Sequence, residues 1–384
     1  MRPAAELFLA FLRLGLTAFG GPAMVAYIRD LAVKKKGWLT EESFADGTAL
    51  CQSIPGATAM QTAAYVGLRA GGPWGALAAF VGFGLPAFVL MISLSAAYSA
   101  GCHSQPVLSA FRGLRVIVIA LIANAALNFG RASIKDRRDA ILAATVAVFL
   151  LSHGSPIIAV LASAAVGMFL YRKVALPPRQ GRDTDTGPDH RIAEFALMAA
   201  LIGVLGLALL FILDRRLFSL AAVMAKVDIF AFGGGFSSVP LMAHEVVETW
   251  HWLDAKAFLD GVALGQVTPG PIVITATFVG YQMAGIPGAM VGTIGVFIPS
   301  FLMVLATVPY LDRLQDSMPF RRALRGALAS FVGLLVSVAV GFCLAIRWSL
   351  PAGILAAATS AALWFKVDVL YVVLVGAAIS IFVF

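Results

Sequence analysis

Long apolar runs separated by short polar connections dominate this chain. They cover 74–100, 111–129, 140–151 and 156–171, and then, after a polar interval, 192–213, 286–310, 323–345, 351–364 and 367–384. Runs of this length read as helices whose solvent is a lipid bilayer. At roughly 20 residues per span, the chain has room for about 10 to 13 membrane segments. The last two runs of each set are short for a span, so they are predicted to tilt or to pair as a hairpin.

The two sets belong to a duplication. Trp38-Leu39, Phe44, Asp46-Gly47, Ala49-Leu50, Gln52 and Pro55-Gly56 recur without a gap at Trp252-Leu253, Phe258, Asp260-Gly261, Ala263-Leu264, Gln266 and Pro269-Gly270. Upstream, Phe19-Gly20-Gly21-Pro22 aligns with Phe232-Gly233-Gly234-Gly235, and Arg13 falls opposite Lys226. A strongly apolar chain with an internal repeat points to a transporter whose two halves enclose a shared site. The organisation read here is a first repeat over 1–175, a polar Pro-bearing linker plus one extra helix over 176–215, and a second repeat over 216–384. A single added span between the units can turn the second upside down relative to the first. The fold class is therefore an all-α, polytopic transmembrane bundle of two inverted repeats with broken or re-entrant helices.

Composition agrees, with mean hydropathy +0.91, 60% hydrophobic residues and only 12% charged residues. No stretch remains for a sizeable soluble catalytic domain. The net charge of +8 could suggest nucleic acid, but the Lys and Arg residues lie mainly between apolar runs, where positive-inside bias places them, so no nucleic-acid partner is expected. The equivalent connections differ in chemistry, with Lys34-Lys35-Lys36 before Trp38 but His244, Glu245, Glu248 and His251 before Trp252. That contrast puts the first on the cytoplasmic side and the second outside. Arg2 and the apolar run after it resemble a signal peptide, but Arg13 interrupts the run and the segment belongs to the repeat, so it is expected to be retained. Cys51, Cys102 and Cys343 are scattered without metal-ligand spacing and read as small packing residues.

The candidate chemistry sits at paired breaks. Glycines let backbone approach a ligand, and a helix that restarts after a break presents unpaired N–H groups and a positive dipole end. The breaks at Gly20-Gly21, Gly233-Gly234, Pro55-Gly56 and Pro269-Gly270-Pro271 are thus candidate anion contacts, against the alternative of tight helix packing or a simple kink. Arg13 and Lys226 precede glycine breaks by the same interval and either face a permeating anion or snorkel to the interface. Gln52 and Gln266 either donate to an oxyanion or satisfy carbonyls freed by proline. Asp46 and Asp260 are the acids repeated between halves, read either as proton-coupling carboxylates or as interfacial groups that cap a helix or pair with a nearby base. Asp228 has no counterpart in the first repeat, and a local pair with Lys226 is disfavoured because positions two apart on a helix do not face one another. His244 and Glu245 open as a zinc-protease motif would, but Glu248 occupies the place of the second His; the glycine clusters lack both nucleotide-binding patterns. No metal, cofactor or enzyme activity is expected.

At these residues the chain resembles the chromate ion transporter family in its long, two-domain form. The resemblance rests on Phe19-Gly20-Gly21-Pro22, the block from Trp38 to Gly56, Phe232 to Gly235 with Val239-Pro240, and the block from Trp252 to Pro271. It implies a multi-pass protein of the inner (plasma) membrane that exports chromate using the proton-motive force, with sulfate as a similar oxyanion. The residues alone reach only an anion transporter. The expected partners are that oxyanion, the lipid bilayer and a second copy of the chain in a homodimer. Two positions depart from the family pattern, since Gly235 stands for a second FGGP proline and Ala57 for the last proline of a first PGP.

Overall fold

The computed structural model describes residues 2–18, 23–101, 104–172, 190–310 and 317–384. Phe19 to Pro22, with the Gly20-Gly21 break, lie outside the described residues, as do Cys102 and most of the linker. Fifteen α-helices and no strands are found among the described residues. In the first repeat these are α1 (Ala4–Thr17), α2 (Ala23–Arg29), α3 (Glu41–Ser53), α4 (Thr58–Ser99), α5 (Gln105–Ser133), α6 (Arg137–Leu151) and α7 (Pro156–Leu170). The added helix is α8 (His190–Leu213). The second repeat holds α9 (Arg215–Ile229), α10 (Gly235–Ala243), α11 (Ala255–Val267), α12 (Thr275–Thr307), α13 (Met318–Ala345), α14 (Leu350–Trp364) and α15 (Val369–Val383).

The equivalence reaches individual turns. A six-residue π-helical turn follows α2 at Asp30–Lys35 and α10 at His244–Thr249. In each copy the Trp amide after it donates back across the turn, Trp38 to Ala32 and Trp252 to Val246. Thr40 caps α3 by accepting from the Ser43 amide, and Asp254 caps α11 by accepting from Ala257. The glycine of the repeated Asp-Gly pair is a packing requirement, because a β-carbon on Gly47 would strike the Tyr65 ring and one on Gly261 the Phe278 ring.

Helices α4 and α12 are hairpins. At Gly72 (φ 69°) and Gly285 (φ 62°) the backbone enters the left-handed region that favours glycine, and the chain doubles back. A β-carbon on Gly67 would lie 2.8 Å from the Ala79 Cβ, and Thr277 and Thr293 hydroxyls are 2.7 Å apart. Residues 12 to 16 apart on a straight helix would be separated by about 18–24 Å. The apolar segments thus divide into short first arms and long second arms, and a run of 42 apolar-rich residues in α4 is not one straight helix.

Five helices, α4, α5, α8, α12 and α13, contain segments long and apolar enough to cross a membrane. α6, α7, α14 and α15 have 15 residues each, roughly 22 Å, which is short of the ~30 Å hydrocarbon layer. They pair as expected, but across the repeats: α5 packs on α14 and α15, while α13 packs on α6 and α7. Glycines allow the close approach, Gly113 against Ser380 and Gly326 against the Ser163 carbonyl. Helix α8 buries no residue and presents apolar side chains outward, as lipid contact requires.

A β-carbon on Gly280 would collide with the Gly288 carbonyl in the other arm of its hairpin, whereas Gly206 on α8 has nothing within 4 Å. Gly280→Ala is predicted to destabilise by about 1–3 kcal/mol, and Gly206→Ala to be neutral or stabilising by up to about 1 kcal/mol. Unfolding of the purified protein in detergent checks both signs.

Candidate anion site at the helix breaks

The two repeats are joined by main-chain hydrogen bonds at their breaks. The Gly56 amide donates to the Ala231 carbonyl at 2.9 Å, and the Gly270 amide donates to the Ala18 carbonyl at 3.0 Å. Each Pro-Gly break of one repeat therefore meets the alanine just before the Phe-Gly-Gly sequence of the other. The exchange is reciprocal, as across a two-fold axis. It uses the glycine N–H groups of Gly56 and Gly270 in holding the halves together.

Three helix starts converge beside these bonds. A β-carbon on Gly234 would stand 3.2 Å from the Thr58 hydroxyl at the start of α4, and one on Gly235 would stand 3.3 Å from Val273 in the 3-10 turn Ile272–Ile274. The N-cap residues of α4 (Ala57), α10 (Gly234) and the 3-10 turn (Pro271) supply no side-chain cap of their own. Such starts present unpaired N–H groups and aligned dipoles toward one another's neighbourhood. Gln61, fully buried, donates to the Pro55 carbonyl at 2.6 Å, while its Oε1 has no partner.

The two repeated cations occupy different surroundings. Arg13 is exposed in an open cavity of about 660 Å³, lined also by Glu6, Tyr27, Asp30, Lys35 and Lys36. Lys226 is bound to Glu245 at 2.7 Å, with that carboxylate only 6% exposed. The difference is local: the position equivalent to Glu245 is Leu31, so the first repeat offers Arg13 no acid there. Gln52 is exposed and Gln266 half-buried; Gly233 is half-buried, and Gly234, Gly56, Pro269 and Gly270 are buried or nearly so.

Asp46 is half-buried, whereas Asp260 is buried. Its base is not near in sequence: Arg115, from α5, forms a two-pronged pair with both carboxylate oxygens at 2.7 Å, and the Tyr98 hydroxyl donates to Oδ2 at 3.0 Å. Asp139 forms a second buried cluster with Arg325 and Tyr171, again joining the two repeats. Sequence reading passed over Arg115 and Arg325, although cations inside apolar helices were the available signal. It also passed over Gln61 and Ser300. Asp228 does not pair with Lys226; the Ser300 hydroxyl donates to its Oδ1 at 3.0 Å. Cys51 is buried as a packing residue and Cys343 is half-buried. Among the described residues no group of three His, Cys, Asp or Glu side chains could hold a metal ion.

The chromate transporter family matches this chain twice, over residues 5–168 and 218–381. The chain belongs to the chromate transporter family. An uncharacterized transporter of Methanocaldococcus jannaschii is 43% identical over 97% of this chain and 92% of its own length. A chromate transport protein of Cupriavidus metallidurans is 32% identical over 93% of this chain and 87% of its own, and one of Pseudomonas aeruginosa is 31% identical over 86% and 79%. No solved structure matches. Within this family's two-domain form, the interval that neither match covers holds the linker and α8.

Removing the Asp260 charge would leave the Arg115 guanidinium, 22% exposed, without its counter-charge. Asp260→Asn is predicted to cost about 3 kcal/mol, the lower end for breaking a buried pair because Arg115 retains some solvent. Thermal unfolding in detergent checks this, with Arg115→Met/Asp260→Leu expected to recover part of the loss.

Proposed function

We propose that this protein exports chromate across the inner (plasma) membrane by alternating access, with the oxyanion held where the breaks of the two repeats meet. The observation that supports this reading best is the convergence of three helix starts beside the reciprocal Gly56 and Gly270 bonds. A tetrahedral dianion offers oxygens in several directions, which suits N–H groups arriving from separate helices. Arg13 in its open cavity draws the anion in, and Lys226 supplies the second positive charge when its bond to Glu245 opens. The glycine breaks at Gly20, Gly21, Gly233 and Gly234 and the Pro-Gly breaks contribute backbone, with Gln52 and Gln266 as amide donors along the path. Asp260, engaged with Arg115, serves the architecture, and Asp46 is its half-buried counterpart.

Export of a dianion carries negative charge outward. An interior-negative potential favours that movement by about 2.3 kcal/mol per elementary charge per 100 mV. The electrical part of the proton-motive force therefore suffices as a driving force. The inversion of the repeats supplies the two alternating faces, supported by the basic first π-helical turn and the mixed His and Glu of the second. Both halves of the site come from one chain, so a homodimer is not needed to complete it.

In inverted vesicles, labelled chromate should accumulate while a potential is present and stop when it is dissipated, with sulfate competing if oxyanion shape rather than chromium is recognised. Arg13→Ala should lower this uptake at least tenfold at normal protein levels. Lys226→Ala would also strand Glu245, so Lys226→Ala/Glu245→Gln is the cleaner variant, with the same expected loss. Full uptake in both would remove these cations from the path.

Orientation is tested separately. With Cys51, Cys102 and Cys343 replaced, Lys35→Cys and His251→Cys should react with an impermeant thiol reagent from opposite sides of the membrane. Labelling from the same side would make the repeats parallel.

A further inference from the structure

One of the two inter-repeat junctions contains a carboxyl group with nothing to balance it. At the junction where Gly270 meets Ala18, the neighbouring equivalents are Gly15 on α1, Ala87 on α4 and Pro271, which has no N–H. At the junction where Gly56 meets Ala231, the same three positions are Asp228, Ser300 and Ala57. The Ala57 amide donates to the Ser300 hydroxyl at 2.9 Å, and that hydroxyl donates to Asp228 Oδ1 at 3.0 Å. This chain of bonds needs all three replacements. Without the amide of Ala57, the serine hydroxyl would lose its donor; without Ser300, Asp228 would lose the hydroxyl that bonds its Oδ1.

Asp228 is 0% exposed, and its second oxygen, Oδ2, has no hydrogen-bond partner. The elements packed around it bring no counter-charge. α10 has no titratable side chain, and α12 has only Tyr281, on the other arm of its hairpin. On α9, Lys226 is committed to Glu245, and Arg215 and Arg216 lie at the far end. On α8, His190, Arg191 and Glu194 stand in the first turns, away from the α9 connection. The start of α4 carries none within its first two turns apart from Tyr65, whose hydroxyl bonds Ser43.

We propose that Asp228 is the proton-binding residue of the transport site, and that its Oδ2–H is the donor offered to the bound oxyanion. A buried carboxylate with an unpartnered oxygen and no cation is a costly species, whereas the neutral carboxyl is satisfied as soon as Oδ2–H finds an acceptor. An oxyanion oxygen at the start of α4 is such an acceptor. A neutral acid donates to the anion, while an ionised one would repel it, so proton and anion bind together and leave together. The proton taken up from one side is released to the other with the anion, and a dianion then moves one negative charge net instead of two. This rests on the oxyanion reading above, and it replaces Asp46 and Asp260 as the place where a proton couples.

Infrared spectroscopy tests the proton directly. The purified protein at neutral pH should show the carbonyl stretch of a protonated carboxyl group, absent in Asp228→Asn and displaced when chromate is added to the wild type. Identical spectra for wild type and variant would overturn the proposal. If Asp228→Asn does not fold, Ser300→Ala serves instead, since losing the hydroxyl at Oδ1 must shift that band; an unmoved band overturns it equally. In proteoliposomes with the potential clamped and an internal pH indicator, wild type should move protons in the same direction as chromate. Asp228→Asn should carry chromate more slowly and, for the chromate it still moves, lose at least fivefold in protons per chromate. An unchanged ratio, or chromate flux without protons in wild type, overturns the proposal and leaves the transport reading intact. Absence of chromate flux in the wild type would strike the transport reading, and the infrared band would still decide the proton.

Discussion

Two main-chain hydrogen bonds, Gly56 to Ala231 and Gly270 to Ala18, organise the rest of the molecule. In a membrane the main-chain polar groups freed at a helix break cannot turn to bulk water, so each break must be satisfied by protein. Here each repeat supplies the partner for the other. A half of this protein alone would leave those groups unmatched, so each half depends on the other. The exchange of short hairpins, α6 and α7 onto α13 and α14 and α15 onto α5, strengthens the same dependence. So do the buried ion pairs, since Arg115 reaches Asp260 and Arg325 reaches Asp139 across the repeat boundary.

Much of this architecture was legible from periodicity. The long apolar runs and the short final pairs became helices close to their expected limits, because a run of apolar residues in lipid has few alternatives to helix. What hydropathy could not report was direction. The reversals at Gly72 and Gly285 fall inside continuous apolar sequence, and one glycine among many does not reveal that its φ is positive. The partners of the short hairpins were equally hidden, because shape complementarity between Gly113 and Ser380 leaves no mark in either local sequence.

The meeting of the breaks was legible in outline for a different reason. Duplication marks positions that both halves retain, so it drew attention to the Pro-Gly breaks, and these do converge. It is blind to positions that differ between halves. Gln61, Ser300 and Asp228 are buried polar groups at the junction, but their equivalents in the other repeat are not the same residues, so comparison of the repeats discards them. The repeated aspartate is the opposite case, a position that both halves retain. Asp260 recurs because its place in α11 recurs, and its charge is consumed by Arg115 in a structural pair.

The departures from symmetry are therefore where a two-fold scaffold acquires direction. A transporter with two identical junctions would present the same chemistry to each side, and binding would respond to membrane potential and concentration alone. Replacing Gly15, Ala87 and Pro271 chemistry by Asp228, Ser300 and Ala57 at one junction gives that junction an ionisable group linked to the start of α4. Ala57 is informative here because its contribution is not its side chain but the N–H that a proline would lack. An alanine where the second repeat carries Pro271 is thus a gain of a donor, and its N–H lies two hydrogen bonds from the carboxyl group that most needs one.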